Sequence, residues 1–367
     1  MLITTIIIVL FSLVTLTALH ELGHFLLARR FGVKVEEFGI GYPPKICGKK
    51  FGDTLYSLNL LPFGAFVRIL GDEESSDNEG SFTKKPIWQR ALILLGGVVS
   101  FWVVALVIII FVAGLAGVPT AVSDDFLEAG KTPYVQILQV GPHSPAEQSG
   151  IKPGDIISKL KVQSEKLKIE ETETNKVGEV QQFIGEHKGQ EILISLKRED
   201  KEIEVSVTPR VNPPQGEGAM GVALARVVKF RIAWYEAPWQ GLKITWEQTK
   251  NIPIAMARAI KSKLQGNDNS GLQFVGPIGL GQIMGQSMSQ GPGNFLMLIA
   301  MISIWMALFN LLPIPALDGG RLLFLGIELV RRKPANQKIE QRITAVFFFL
   351  MVALMAVVSI KDIIRLF

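Results

Sequence analysis

Four stretches of the chain are almost unbroken in apolar residues: Leu2–Leu19, which continues through His20–His24 to Leu27, then Ala91–Val118, Phe295–Leu317 and Ile343–Ile360. Each has about 18 residues or more, enough helix to cross roughly 30 Å of hydrocarbon. Helix is the only choice for such a run, because lipid offers its backbone no other partner. The first run lacks a basic leader and a small-residue cleavage site, so it reads as a retained span. Between the second and third runs the pattern changes to short alternating segments. Tyr134–Val140, Ile156–Leu160, Glu191–Lys197 and Glu202–Pro209 predict strands, and Met220–Ala225 one more. Ser144–Glu147 opens a short helix that ends near Gly150, and Val177–Glu186 repeats at helical spacing through Val177, Val180, Phe183 and Ile184. Residues 163–176 are charge-rich and predict a solvated loop.

Two further stretches are apolar without being spans. Val35–Ile40, Thr54–Leu60 and Ala65–Leu70 predict three strands of a small sheet, punctuated by Gly41-Tyr-Pro-Pro and Leu61-Pro-Phe-Gly. From Trp234 to Leu264 the residues Ile252, Met256, Ile260 and Leu264 recur every fourth position, with Trp234, Trp239 and Trp246 suited to headgroup depth. Pro253 is expected to divide this stretch into two interfacial helices lying on lipid. Residues 271–293 are too rich in glycine for a span and read as re-entrant or close-packed. The expected order is therefore span 1–28, sheet 33–72, span 89–118, an inserted α+β domain 131–228, interfacial helices 232–265, a glycine-rich segment 271–293, span 294–320 and span 342–362. The fold class is a multi-pass α-helical membrane protein with four transmembrane helices, a membrane-associated β-sheet and an α+β insert.

Composition sharpens this picture. Charged residues are 19% against 48% apolar, which excludes a disordered chain and an ordinary soluble domain. Cys47 is the single cysteine, so neither an internal disulfide nor a cysteine metal cluster is available. The net charge of +5 is modest, and basic residues flank apolar runs, as at Arg29–Arg30 and Arg331–Lys333. That distribution marks membrane flanks rather than a nucleic-acid partner. Lysine and arginine crowd 28–90 and 318–342, so the positive-inside rule puts these in the cytoplasm and 119–294 outside. Lys361 and Arg365 pull the other way.

The sharpest chemical signal is His20-Glu21-Leu22-Gly23-His24. On a helix the two histidines lie about 40° apart around the axis, so both imidazoles reach one metal, and Glu21 can hold a water against it. Ordinary polar residues at a helix end are a poor alternative, because ionisable groups in an apolar span are costly and functional by default. A catalytic zinc ordinarily takes three protein ligands. His143 and His187 read as surface histidines. Asp318, in Asn310-Leu-Leu-Pro313-Ile-Pro315-Ala-Leu-Asp318-Gly-Gly, falls at a depth similar to His20 if both spans run inward. On spacing alone, a third ligand and a helix-ending Asp-Gly turn remain equally open.

Together these motifs resemble the site-2 protease family of M50-type intramembrane zinc metalloproteases, in its RseP-like regulator of sigma-E protease branch. Gly141-Pro-His-Ser-Pro-Ala-Glu-Gln-Ser-Gly-Ile-Lys-Pro-Gly-Asp-Ile-Ile resembles the bacterial PDZ signature, and Gly276-Pro-Ile-Gly279 resembles a stretch of that branch. The resemblance implies that His20, His24 and Asp318 bind zinc, that Glu21 is the catalytic base, and that Asn310 and Pro313 belong to a motif lining the active site. It implies one PDZ domain outside the membrane, where the best-known members carry two, and a re-entrant sheet that pairs with substrate. Gly96-Gly97-Val98-Val99-Ser100 stands where that family usually ends its second-span motif with asparagine. The implied activity is intramembrane cleavage of single-span proteins, such as anti-sigma factors or signal-peptide remnants, at a bacterial plasma membrane. The PDZ domain would bind substrate C-termini or exclude untrimmed proteins. The competing readings are a non-enzymatic PDZ scaffold and a zinc transporter.

Overall fold

The computed structural model describes residues 2–72, 78–115, 117–128, 130–141, 143–162, 170–173, 175–198, 201–214, 216–230, 232–265, 276–333 and 337–364. In chain order the elements are α1 (Leu2–Arg30), β1 (Val35–Phe51), β2 (Thr54–Ile69), α2 (Ile87–Leu115), β3 (Val118–Val122), β4 (Tyr134–Val140), α3 (Pro145–Gln148), β5 (Ile156–Val162) and β6 (Glu170–Glu173). They continue with α4 (Val177–Glu186), β7 (Ile192–Arg198), β8 (Lys201–Val207), β9 (Val222–Phe230), α5 (Ala237–Leu264), α6 (Pro277–Ser289), α7 (Pro292–Asn310), α8 (Asp318–Arg331) and α9 (Gln337–Ile364). The chain divides into two compact units, one of residues 1–110, 238–285 and 297–367, the other of 111–237 and 286–296.

The first unit is helical with a small sheet. Segments of α1, α2, α7 and α9 are long and apolar enough to cross a membrane: Ile6–Arg30, Ile87–Leu115, Pro292–Asn310 and Lys338–Asp362. Two expectations change here, and a third gains detail. The third span ends at Asn310 rather than running to 320, because Pro313 and Pro315 cannot continue its hydrogen-bond ladder, and Asp318 begins a separate helix. Pro253 does not divide α5, which is continuous. A proline removes a single ladder bond, and Ile252 beside it is held in a cluster with Ala105 and Ile109 of α2 and Ala300 and Ile304 of α7. The glycine-rich stretch is helical from Pro277 to Ser289, and residues 271–275 lie outside the described residues.

The sheet has two long bent strands in place of three short ones. Cys47–Phe51 and Thr54–Leu58 form a hairpin, with Phe51 opposite Thr54 and Cys47 opposite Leu58. The opening residues of β1 lie between the two halves of β2, so that Phe38 pairs with both Tyr56 and Val67. Among the described residues, Ala65–Ile69 is consequently an edge, with strand pairing on one side only. Phe25, Val35, Ile69, Phe82, Ile93 and Leu325 form the apolar cluster that fixes this sheet against the helices.

The second unit is a sheet in the order β3-β9-β4-β5-β7-β8, with β6 on the remaining length of β5. Its core gathers Val135, Ile137, Ile157, Leu160, Ile192, Ile194 and Leu196 from alternate strand positions and Val180, Phe183 and Ile184 from α4. The expected strands and helices are present. Two strands were not legible. β6 lies within the charge-rich stretch expected to be a loop; β4 covers only Ile156 and Ile157 of β5, and β6 takes Lys159–Val162. Backbone donors and acceptors seek partners whatever the side chains. Residues 163–169 and 174 lie outside the described residues. β3 pairs with β9, and the chain after it is clamped: the Asp124 carboxylate accepts hydrogen bonds from the N–H groups of Val177 (3.0 Å) and Gly178 (2.7 Å) at the start of α4.

Those bonds, that of Gly178 foremost, hold the Asp124 carboxyl below its ordinary value, with Arg226 and Lys176 adding to the effect. A depressed folded value means that the contact is complete above the ordinary carboxylate range of about 3.9 and is lost as pH falls through the lowered value. In an acid titration followed by NMR, the Gly178 amide is expected to move with a midpoint below that range, and Asp124→Asn is expected to abolish the movement. A midpoint at the ordinary value would contradict the clamp.

Candidate metal centre

The site begins with two helices that touch through their backbones. A Cβ at Gly23 of α1 would strike the carbonyl of Gly96 on α2, and one at Gly97 would strike the rings of both His20 and His24. Small residues permit this approach of helices in lipid. It brings the carbonyl of Ile93 to within 2.8 Å of His24 Nδ1. A carbonyl only accepts, so Nδ1 carries the proton and Nε2 presents its lone pair. His20 stacks on Phe101 of α2, with ring centroids 4.6 Å apart and planes 17° from parallel. Ser303 of α7 donates to the Phe101 carbonyl at 2.8 Å.

Asp318 arrives from the other side. After α7 the chain turns through Leu311–Leu317, and α8 starts with Asp318 buried in its first turn. Two ion pairs hold that helix. Arg90 of α2 grips Glu328 through both nitrogens at 2.5 and 3.0 Å. Arg321, one turn beyond Asp318, pairs with Asp72 at 2.6 Å. A largely buried bidentate pair such as Arg90–Glu328 fixes geometry as well as contributing energy.

The three donor atoms converge. His20 Nε2 and His24 Nε2 are 3.2 Å apart, and Asp318 Oδ2 lies 3.4 Å from the first and 3.3 Å from the second. Zinc bonds of about 2.0–2.1 Å in a tetrahedron have edges of about 3.3 Å. The triangle is thus one face of such a tetrahedron, which leaves the fourth vertex open. Asp318 Oδ2 is buried and has no hydrogen-bond partner among the described residues. Lone pairs and an anionic oxygen packed together this way call for a cation, and the donor set fits zinc. No other such cluster occurs among the described residues.

A cavity of 720 Å³ opens on this triangle. Glu21 lines it beside His20 and His24, together with Tyr42, the edge residues Phe66, Val67 and Ile69, and Asn310, Pro315 and Leu317. The Val67 backbone N–H bonds to the Glu21 carboxylate. Asn310 donates from Nδ2 to the Met306 carbonyl at 2.9 Å while facing this cavity. Pro313 does not line it; it is exposed in the turn, and Pro315 takes the place at the wall. His143 and His187 belong to the second unit and are not members of this cluster. Phe101, the Ile93 carbonyl and the two arginine pairs escaped the reading of the chain. Gly96-Gly97 inside an apolar run was the one signal that could have pointed to the helix contact.

The profile of Peptidase family M50, the site-2 protease family, matches residues 7–354. The chain belongs to Peptidase family M50. A Clostridium perfringens protein named as a zinc metalloprotease is 34% identical over 359 residues, covering 97% of this chain and 98% of its own. The regulator of sigma-W protease RasP of Bacillus subtilis is 27% identical over 434 residues, covering 96% of each. A Nostoc protein named as a zinc metalloprotease is 27% identical over 356 residues, covering 95% of this chain and 93% of its own. Zinc is the cofactor of this M50 protein, as of its family, and the four apolar helices make it a membrane protein.

Gly97→Ala is expected to push the imidazoles apart and reduce bound zinc from about one per chain to near zero in the purified protein, measured by atomic absorption. Gly114→Ala, whose added carbon would meet only the Ala237 side chain at 3.9 Å, is expected to keep the metal. Full zinc occupancy in Gly97→Ala would refute the packing account.

Proposed function

We propose that this M50 peptidase is an intramembrane site-2 protease, with His20, His24 and Asp318 as zinc ligands and Glu21 as general base. The observation that carries this reading is the open-faced donor triangle with Glu21 in the same cavity wall, on a helix apolar enough to span. Bound zinc would supply Lewis acidity toward the scissile carbonyl and toward water. Glu21 takes a proton from the attacking water and delivers it to the leaving amine. His24 is kept in the ligating tautomer by Ile93, and Phe101 keeps the His20 ring from turning.

A helical substrate must unwind before its carbonyls are free. The outer edge Ala65–Ile69 runs along the cavity, where the Val67 N–H meets Glu21, and offers an extended substrate further main-chain bonds. The sheet's turn is apolar and exposed at Leu60, Leu61 and Phe63, which favours a sheet dipping into lipid. Trp239 and Trp246 on the exposed side of α5 suit the lipid headgroup layer. Asn310 is read as a substrate-facing residue; Pro313 is read as shaping the turn behind it.

The second unit is read as a PDZ domain of the RseP-like branch. The Ser144 side chain caps α3 by accepting the Glu147 N–H at 3.2 Å, within the signature stretch. The distribution of lysine and arginine favours this domain outside a bacterial plasma membrane, with the zinc site toward the cytoplasm. Single-span proteins already trimmed outside are the substrates, and regulated proteolysis in a stress response is the process.

With purified chain and a single-span test substrate, Glu21→Gln is expected to lower cleavage about 10²–10⁴-fold while retaining zinc. Asp318→Ala is expected to lose both zinc and cleavage, and a chelator to stop the wild type. Cleavage by Glu21→Gln at the wild-type rate would sink the proposal and leave a scaffold or a zinc transporter as the better account.

A further inference from the structure

The edge of β9 is where an extended peptide would add to the second unit, since the start of α4 lies beside it. That edge is already taken over half its length. β3 runs antiparallel along it, with Val118 opposite Phe230, Thr120 opposite Val228 and Val122 opposite Arg226. The hold continues past the strand. Arg226 is 3% exposed, and its Nη1 donates to the carbonyls of Ser123 (2.8 Å), Asp124 (2.9 Å) and Phe126 (3.1 Å), while Nε donates to Asn175 at 2.7 Å. The Asp124 carboxylate meanwhile takes the first N–H groups of α4. Residues 118–126 are therefore held by a strand ladder on β9, a buried guanidinium on their carbonyls and a helix N-terminus on an acidic side chain. These are the contacts that strand addition gives a bound peptide.

We propose that residues 118–126 are an internal occupant of the peptide-pairing edge of β9, and that this edge accepts an external peptide only when the segment is released. The incoming peptide would be extended, with small or β-branched residues in the ladder and a carboxylate in the position of Asp124. This rests on reading 131–228 as a peptide-binding PDZ domain.

The segment is tied mainly by polar bonds, with Phe126 edge-on to Phe230 at 6.0 Å between ring centroids. None of residues 119–126 is in the apolar cluster that gathers around Ile137, Leu160 and Ile194. Pro119 contributes no ladder N–H, and an outer strand of five residues is among the parts of a sheet that open most readily. The tether keeps the segment at a high effective concentration, so an external peptide competes against it, and its apparent affinity falls by the fraction of chains that are open.

The test uses full-length purified chain and a fluorescein-labelled peptide with the sequence of residues 117–126, followed by anisotropy. Thr120→Cys with Val228→Cys, in a Cys47→Ser background, joins opposed positions of an antiparallel pair, which lie about 4.5–5.5 Å apart and within disulfide reach. The oxidised form is expected to lose peptide binding and dithiothreitol to restore it. Asp124→Ala weakens the internal occupant but not the probe, and is expected to tighten probe binding about five- to tenfold, the equivalent of one lost helix cap. It should also speed amide exchange at 120–122 without changing exchange at 193–196. Equal binding by the oxidised and reduced forms would overturn the internal-occupant proposal alone. Absence of binding to Asp124→Ala despite faster exchange at 120–122 would overturn the proposal together with the peptide-binding reading of the domain.

Discussion

Two imidazoles and a carboxylate cannot be packed together inside apolar helices without a charge to satisfy them, and the first unit is organised around that constraint. His24 is oriented by a backbone carbonyl, His20 by an aromatic face, and Asp318 by a helix start held through Arg90–Glu328 and Arg321–Asp72. The buried Oδ2 of Asp318 faces two imidazole nitrogens and has no hydrogen-bond partner among the described residues, an arrangement that a cation fits. Removing one partner of such a cluster costs more than the cluster contributes as a whole, because the groups left behind stay desolvated.

What makes the constraint affordable is close helix contact. Lipid gives helices no hydrophobic reason to associate, so packing and polar contacts must do it. At Gly23, Gly96 and Gly97 the backbones of α1 and α2 meet directly, and His20 and His24 stand on that seam. The same closeness supplies the Ile93 carbonyl that selects the histidine tautomer. Packing and chemistry are therefore one arrangement, and a methyl group at Gly97 disturbs both.

The second unit is held by different physics. Its core is a layered one, with alternate strand residues facing α4, and it follows the period of two closely. Its less regular parts, β3 and β6, are added by main-chain pairing rather than by apolar burial. That makes them the natural places for exchange with another strand.

The chain by itself determined the four apolar helices, the strands and helices of the second unit's core, and the His20-Glu21-His24 spacing, because each is set by residues near one another in sequence: length of an apolar run, alternation, or a single helical turn. It named Asp318 as a candidate but left a turn equally open, since a carboxylate about three hundred positions from its histidine neighbours carries no local mark. Only the tertiary structure decided that the third span stops at Asn310, that α5 runs through Pro253, that β1 threads between the halves of β2, and that β3 closes on β9. It also moved Pro313 off the cavity wall and put Pro315 there. These outcomes depend on which backbone groups remain unpaired once other elements have packed, and on where a missing side chain lets two helices touch. Both are properties of the assembled chain, which no local pattern records.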